Sequence, residues 1–298
     1  MKQLPQFLTL NACPSCGNNT FSNHLTVQDF GYSKLDFTLV KCNQCDLVFT
    51  NPRPIESENG NYYKSADYIS HTNSTKGIIG FLYKRIRGIN LKRKVKLLKQ
   101  QGSGKDVLDI GCGIGFFPKA ANQNGFHAIG VEPDPEALKF AIENNKIEAY
   151  SLEKLDSFNT QFDTVTMWHV LEHVYHLKDQ LAKIKKLIKP QGLFIIAVPN
   201  YKSFDGQYYR SNWAGYDVPR HLYHFEEKTI QSLLDQFGFE LKEVKPMKFD
   251  AYYVSMLSEK QKGGPVFKAF FKGLKSNKNA NANISPYSSQ IYVFKNKQ

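Results

Sequence analysis

The residues with the clearest chemical pattern are three glycines in the segment DIGCGIGFF, at positions 111, 113 and 115. They follow a run typical of a buried strand and precede a run typical of a helix. Glycine at such a turn lets the backbone approach a ligand closely, and ligands of parallel sheets bind at the carboxyl ends of the strands. Glu132 lies about 20 residues further on, where an acid usually binds a ribose diol. The pattern predicts a nucleotide-type cofactor at this turn.

A second group of reactive side chains lies in the segment WHVLEHV. His169, Glu172 and His173 are spaced i, i+3 and i+4, which predicts that they share one helical face at the carboxyl end of a strand. Such a group could act as a general base or hold a divalent metal ion. Capping and packing roles are the alternative.

The segment GYDVPRHLYHF is polar and aromatic, and it follows a buried strand. Arg220, His221 and Tyr223 are candidates for binding an anionic or hydroxylated substrate, with Asp217 and His224 in the same segment. A purely structural turn is the alternative.

Four of the five cysteines form two C-x-x-C pairs near the start, at Cys13, Cys16, Cys42 and Cys45. Two such pairs beside short strands predict a structural zinc site with four thiolates and no open position. An iron–sulfur cluster and a redox dithiol are weaker alternatives. The fifth cysteine, Cys112, lies in the glycine loop.

The net charge of +12 is concentrated in two segments. Ten Lys/Arg and no acid lie between Lys76 and Lys105, and eight Lys and no acid follow Glu259. Three interpretations stay open: contact with a membrane surface, contact with RNA phosphates, or a helix with a solvated lysine face.

From Lys105 onward, strand-like and helix-like runs alternate, which predicts an α/β domain with a doubly wound parallel sheet. Residues 76–101 are predicted to form two helices or one helix kinked near Gly88. The predicted organisation is a zinc ribbon over 1–55, a connector with basic helices over 56–104 and the α/β domain over 105–298. NKNANANIS near the end is predicted to be a loop. No apolar run reaches the length of a membrane span, and the start is too weakly apolar for a secretory signal, so we expect a cytoplasmic protein.

The glycine loop does not follow the nicotinamide or flavin fingerprint, because Phe116 replaces its third glycine and Asp109 precedes the loop. Residues 105–245 instead resemble class I S-adenosylmethionine-dependent methyltransferases, through LDIGCGIG, VEPD, FDTVTMWHVLEHV, KPQGLFIIAVPN and DVPRHLYHFEEKTIQSLLDQFGF. The resemblance implies a seven-stranded Rossmann-like sheet and S-adenosylmethionine as cofactor. It further implies that Asp109 orders the loop and meets the amino group, that Glu132 binds the ribose, and that Ser151, Leu152 and Glu153 flank the adenine. The other implied cofactor contacts are Gly111, Cys112, Gly113, Gly115, Pro133 and His169.

Two further resemblances concern the acceptor. Ubiquinone-type O-methyltransferases resemble the WHVLEHV segment and hold a divalent ion with Glu-x-x-Glu-His, whose first position is His169 here. Residues 13–71 resemble the four-cysteine module and Tyr-rich connector of sugar C-methyltransferases that act on nucleotide-linked deoxysugars. A group of ribosomal-RNA guanine methyltransferases also combines a four-cysteine module with a methyltransferase domain.

These resemblances imply methyl transfer to oxygen or carbon of a small molecule, expected to be a sugar or a glycan or lipid-linked intermediate. The alternatives are an RNA base methyltransferase that binds RNA through the ribbon and the basic segments, and a methyltransferase fold kept as a scaffold without turnover. We expect a small-molecule partner, with contact to the inner membrane face through the basic segments as an open possibility and nucleic acid less favoured.

Overall fold

A seven-stranded sheet forms the centre of the computed structural model, which describes residues 6–63, 78–102 and 104–297. Its strand order is β12-β13-β10-β9-β6-β7-β8. β13 is antiparallel to both of its neighbours, and the remaining pairs are parallel. The predicted doubly wound sheet of seven strands is therefore confirmed. The strands are β6 Asp106–Ile110, β7 His127–Val131, β8 Ala149–Tyr150, β9 Phe162–Trp168, β10 Ile188–Pro199, β12 Phe239–Pro246 and β13 Ser289–Asn296.

The central strands are almost continuously apolar because helices cover both faces of the sheet. In β10, Phe194, Ile195 and Ile196 are all fully buried. Alternate residues of this strand belong to different hydrophobic clusters on the two faces, Phe194 and Ile196 to one and Ile195 to the other. Burial on both faces fixes where the strands end, and the candidate functional residues lie at those ends.

Eight α-helices lie in the described part of the chain, and none of these described helices is long and apolar enough to cross a membrane. They are α1 Ile78–Gln101, α2 Phe116–Asn122, α3 Pro135–Glu143, α4 Leu177–Leu187, α5 Phe204–Tyr209, α6 Glu227–Asp235, α7 Asp250–Lys262 and α8 Val266–Asn281. The start of α3 is set by Asp134, whose carboxylate accepts a hydrogen bond of 2.7 Å from the amide of Ala137.

Three local predictions need correction. α1 is one helix through Gly88, which excludes the alternative of two separate helices, because a glycine inside a helix costs only about 1 kcal/mol. The helix predicted to carry His169, Glu172 and His173 begins only at Leu177, beyond all three residues, and the chain re-enters the sheet at Ile188. The predicted loop NKNANANIS is helical as far as Asn281, where α8 ends. The connector residues 64–77 lie outside the described residues.

A second sheet has the order β11-β4-β3-β2 and is antiparallel throughout. Three of its strands come from the cysteine-bearing start of the chain, and the fourth, β11, comes from the segment after β10. A short two-stranded sheet joins β1 to β5. The strands are β1 Phe7–Leu8, β2 Phe21–Gln28, β3 Asp36–Cys42, β4 Val48–Thr50, β5 Arg53–Pro54 and β11 Tyr223–His224.

The N-terminal sheet and the segment after β10 also share an apolar core. It contains residues from β2, β3 and β4 together with Tyr201, Tyr209, Trp213 and Tyr216. The two parts of the chain are therefore packed as one body at the carboxyl ends of the central strands.

Candidate active site

The glycine turn adopts the backbone conformation that its sequence requires. Gly111, Gly113 and Gly115 have φ values of 71°, 55° and 82°, a region that side chains disfavour. A Cβ atom on Gly111 would lie 2.4 Å from the side chain of Val170, so β6 and the chain after β9 approach each other closely. Apart from its chain neighbours, no atom of the described residues lies within 4 Å of the Cβ position of Gly113, which leaves that side of the turn open.

Glu132 closes the turn from the neighbouring strand. One of its carboxylate oxygens accepts a hydrogen bond from the amide of Gly113 at 2.7 Å, and the other accepts one from Asp134 at 3.0 Å. Burial raises the pKa of Glu132, and the two amide hydrogen bonds oppose that rise. The predicted ribose acid therefore lies directly against the glycine loop.

Asp109 is buried beneath the turn. The hydroxyl of Thr166, in the adjacent strand β9, donates a hydrogen bond of 2.6 Å to its carboxylate. Burial raises the pKa of Asp109 to about 7, although Thr166 and the nearby cation of Lys94 favour the ionised form. Asp109 can therefore be either ionised or protonated near neutral pH.

Lys94 belongs to the basic helix α1, and its role was missed from the sequence. Its ammonium nitrogen lies 4.2 Å from the centre of the Trp168 ring at the end of β9. Burial lowers the pKa of Lys94 to about 8, while Asp109 and Asp250 oppose the decrease. A signal was available, because Lys94 lies on the same face of α1 as the buried Val95 and Leu98.

The remaining cofactor candidates follow the ends of the same strands. Cys112 lies against Gly130 of β7, where a Cβ atom would come within 2.4 Å of its sulfur, and burial raises the pKa of its thiol. Pro133 follows Glu132 directly. Leu152 is exposed after β8, in a short 3₁₀ helix that includes Glu153 and follows Ser151.

His169 is not part of a helical face, which corrects the sequence prediction. Its φ of 58° places it in a turn directly after β9, and only Leu171–His173 form a short 3₁₀ helix. His169 Nε2 lies 3.2 Å from Asp250 and Nδ1 lies 3.4 Å from Glu172. Burial lowers its pKa, but the two carboxylates outweigh burial and raise it to about 9. His169 is therefore a cation at neutral pH.

Glu172 is buried, with 1% of its surface exposed. Neither of its carboxylate oxygens forms a hydrogen bond to a described residue. His169 Nδ1 and His221 Nε2 approach one of them at ion-pair distances of 3.4 and 4.0 Å. Burial works to raise the pKa of Glu172, but these histidines hold it below its ordinary value. The cluster therefore contains a buried, ionised and weakly satisfied carboxylate.

The surroundings of His173 lower its pKa, whereas those of His169 raise it. Its Nδ1 lies 2.9 Å from the carbonyl oxygen of Arg220 and 2.9 Å from the hydroxyl of Tyr63. A carbonyl only accepts, so Nδ1 is the protonated nitrogen and Nε2 carries the lone pair. Burial, together with His221, whose ring centre is 4.6 Å away, lowers the pKa of His173 to about 4. His173 is neutral and able to accept a proton.

The substrate candidates of the segment after β10 have different surroundings. The Arg220 guanidinium lies 3.0 Å from Asp217 and 3.5 Å from Asp29, and it donates to the carbonyl of Tyr62. Tyr223 is buried, and its hydroxyl donates to the carbonyl of Tyr175. His224 contacts Thr50. Only His221 joins the cluster of Glu172 and His173.

Two groups of side chains have the spacing of metal ligands. The sulfurs of Cys13 and Cys45 are 3.6 Å apart, and those of Cys16 and Cys42 are 3.5 Å apart. All four lie within 4.8 Å of one another. In the second group, one possible ligand atom from each of Glu172, His173 and His221 also lies within 4.8 Å of the others.

Comparison with known proteins gives a consistent result. Residues 83–244, more than half of the chain, match the family model described as a methyltransferase domain. A ubiquinone biosynthesis O-methyltransferase of Rickettsia bellii is 26% identical over 213 residues, 66% of this chain and 88% of the relative. The corresponding protein of Haemophilus ducreyi is 29% identical over 175 residues, 53% of this chain and 72% of the relative.

Two solved structures share the fold. Magnesium protoporphyrin IX methyltransferase from Synechocystis, with bound SAH, has a TM-score of 0.52 at 14% identity and covers 78% of this chain and 96% of its own. Phosphoethanolamine N-methyltransferase 2 from Haemonchus contortus, in complex with S-adenosyl-L-methionine, has a TM-score of 0.54 at 17% identity. It covers 89% of this chain and 64% of its own.

Proposed function

Since this chain belongs to the methyltransferase-domain family and is an S-adenosylmethionine-dependent methyltransferase, we propose that it methylates an oxygen or carbon of a small molecule at the carboxyl ends of β6, β7 and β9. The observation that carries the proposal is the contact of His173 Nδ1 with the Arg220 carbonyl, which leaves Nε2 with its lone pair in the cluster with Glu172 and His221. Bound S-adenosylmethionine supplies an electrophilic methyl group, and an acceptor hydroxyl must lose its proton to a base.

The proposed cofactor residues on the sheet lie on or follow the neighbouring strands β6, β7 and β9. Glu132, with one oxygen bound to the amide of Gly113 and the other to the amide of Asp134, would also accept hydrogen bonds from the ribose hydroxyls. Asp109 would face the amino group, and Lys94 would pair with the carboxylate of the methionine part. The open side of Gly113 gives the backbone room to approach the ligand. The buried carboxylates of Asp109 and Glu132 and the buried cation of Lys94 would thus face groups of S-adenosylmethionine that they can bind.

His173 is the proposed base, and His169 is the proposed fixed cation. The tautomer set by the Arg220 carbonyl leaves Nε2 of His173 available for the acceptor proton. His169 is held in its charged form by Asp250 and Glu172, and so it does not compete as a base at neutral pH. Two titratable groups with pKa values driven apart are the usual sign of an acid–base site.

A divalent ion bound by Glu172, His173 and His221 is the alternative role for this cluster. The unsatisfied Glu172 carboxylate favours it, and two imidazoles with one carboxylate suit a borderline ion such as zinc rather than magnesium. Under that alternative the ion would lower the pKa of the acceptor hydroxyl directly.

The proposed acceptor is a sugar or a glycan or lipid-linked intermediate, as expected from the cysteine module and the Tyr-rich connector. Tyr63, which lies in that connector directly before residues 64–77, contacts His173, so the connector contributes to the site. The similarity to proteins named as ubiquinone biosynthesis O-methyltransferases supports an oxygen acceptor. For the four cysteines we propose a structural zinc ion.

Calorimetric titration with S-adenosylmethionine tests the proposal first. We expect binding by the wild type and at least a tenfold loss (about 1.4 kcal/mol) in Asp109→Ala and Glu132→Ala. Glu136→Ala, an exposed acid four residues beyond Glu132, is the matched control and should bind normally. Failure of a folded wild type to bind, or equal binding by all variants, would refute this site. Acceptor screening with radiolabelled cofactor then separates sugars from phenols and RNA.

A further inference from the structure

The helix α8 turns its largest apolar residues toward solvent. Its outward stripe, which we call the aromatic stripe, is between 47% and 66% exposed at every position: Val266, Phe267, Phe270, Phe271 and Leu274. These positions are spaced i, i+1, i+4, i+5 and i+8, so they form one face of a helix of 16 residues. A soluble protein rarely leaves such a contiguous apolar face uncovered without a binding partner.

The opposite face of α8 shows that this orientation is fixed by packing. That face consists of small and polar residues, and a Cβ atom on Gly273 would lie within 3.0 Å of the backbone of Tyr252 in α7. The hydroxyl of Ser276 donates a hydrogen bond of 2.6 Å to Asp205, and the amide of Asn277 donates one to the carbonyl of Lys248. Rotating the helix to bury its phenylalanines would break these contacts.

Lysines surround the aromatic stripe without acidic partners. No Asp or Glu occurs after Glu259 in the sequence. Within the described part of the chain, no ion pair is formed by Lys268, Lys272, Lys275 or Lys278. Lys272 lies 3.7 Å from the centre of the Tyr208 ring and Lys275 lies 5.0 Å from that of Phe204, which holds both cations beside the stripe.

We propose that the aromatic stripe and its lysines dock this protein on an anionic lipid bilayer. Apolar side chains that protrude from a rigid helix can enter the acyl boundary, while the flanking ammonium groups remain at the level of the phosphates. Symmetric pairing with a second copy would bring the two sets of lysines together. Val266 and Leu274 cannot stack on bases, which makes single-stranded RNA a poorer match than lipid.

In the described part of the other basic segment, three cations lie over aromatic rings of the same chain. Arg87 lies over Phe116 at 4.0 Å, Arg93 over Phe249 at 4.9 Å and Lys94 over Trp168 at 4.2 Å. The proposed docking surface consists of α8 and the adjoining α5, and it contains none of the proposed catalytic residues.

Vesicle flotation with the full chain tests the proposal. We expect binding to phosphatidylcholine vesicles that contain about 30% phosphatidylglycerol and much weaker binding to phosphatidylcholine alone. Phe267→Glu/Phe271→Glu should abolish binding, and Lys268→Gln/Lys275→Gln should weaken it about tenfold. All four positions are on the surface of α8, so folding and cofactor binding should be unchanged. Ile142→Glu on α3, an equally conspicuous exposed apolar residue, is the control.

Several outcomes would overturn the proposal. Wild-type protein that stays with the soluble fraction, or variants that float as well as the wild type, would exclude lipid docking. Sedimentation as a dimer that dissociates in Phe267→Glu/Phe271→Glu, without vesicle binding, would assign the stripe to a second copy. Retention of RNA through the same residues, again without vesicle binding, would assign it to nucleic acid. Vesicle binding does not require methyl transfer, so these results stand apart from those on the proposed function.

Discussion

Asp250 lies 3.2 Å from Nε2 of His169, across 81 residues of sequence. The carboxylate is at the first turn of α7, and the histidine follows the end of β9. This pair explains why a half-buried imidazole retains a proton at neutral pH.

Asp250→Asn should lower the pKa of His169 from about 9 toward its ordinary value, as measured by NMR of the imidazole protons. The raised pKa stabilises the fold fully below about pH 6.5 and loses that effect as pH rises through about 9. The variant should therefore lose up to about 2 kcal/mol near pH 6 and almost nothing above pH 9, after allowance for partial exposure. An equal loss at both pH values would show that Asp250 acts through packing.

His173→Asn should reduce kcat by about 10²–10⁴ while leaving cofactor binding intact, because it removes the proton acceptor and little volume. Since the pKa of His173 is about 4, proton removal by His173 should slow as pH falls toward that value, as measured by kcat at saturating cofactor. Tyr63→Phe is the milder companion variant, because it removes one contact to Nδ1 and leaves the Arg220 carbonyl in place. An unchanged kcat in His173→Asn would remove it from the mechanism.

Lys94→Gln should weaken S-adenosylmethionine binding about tenfold, because the variant loses the charge and shortens the side chain by only one atom. It should also raise the pKa of Asp109 further above its ordinary value, since Lys94 favours the ionised carboxylate. Lys96→Gln, an exposed neighbour on the same helix, is the control. Equal affinity in the two variants would leave Lys94 without a role at the cofactor.

Arg220→Ala should lower the free energy of unfolding by about 3–5 kcal/mol in urea, because it leaves Asp29 and Asp217 without their buried cation. Arg220 and two histidines hold the pKa of Asp217 at about 2 against the effect of burial. That stabilisation exists above about pH 4 and is lost as pH falls through about 2, so the difference between variant and wild type should shrink in acid.

Arg85→Ala provides the matched exposed control for Arg220. A stable Arg220→Ala enzyme with a raised KM would instead favour the substrate-binding role predicted from the sequence.

Purified protein should contain one zinc ion per chain, measured by elemental analysis. Cys42→Ser should lose this ion and most of its stability, because the metal supplies folding energy to the ribbon. Cys112→Ser should keep it. Metal that persists in Cys42→Ser and disappears in Glu172→Gln would instead place an ion at the histidine cluster.

Local sequence patterns predicted the sheet well, because the glycine turn, Glu132 and the apolar runs of β9 and β10 are determined by neighbouring residues. The residues that contact the site from distant parts of the chain could not be predicted in this way, because their positions depend on tertiary packing. Lys94, Asp250 and Tyr63 come from α1, α7 and the connector, and only Lys94 carried a local signal, its place on the buried face of α1. The prediction of a shared helical face from the i, i+4 spacing of His169 and His173 was wrong. Such spacing implies a shared face only where the backbone is helical, and His169 lies in a turn.

The pairing of β4 with β11 makes the cysteine module and the segment after β10 depend on each other for a complete sheet. Thr50 donates hydrogen bonds to the carbonyls of His221 and Leu222, and the Leu222 amide donates one to the backbone carbonyl of Glu172. During synthesis the cysteine module therefore leaves the ribosome long before β11 is made. Its sheet can be completed only after most of the chain has been synthesised. Recombination that exchanged only the cysteine module or only the segment after β10 would leave the edge of β4 or β11 unpaired. His221 would then lose its contact with Thr50. The two parts are expected to be inherited, and lost, together.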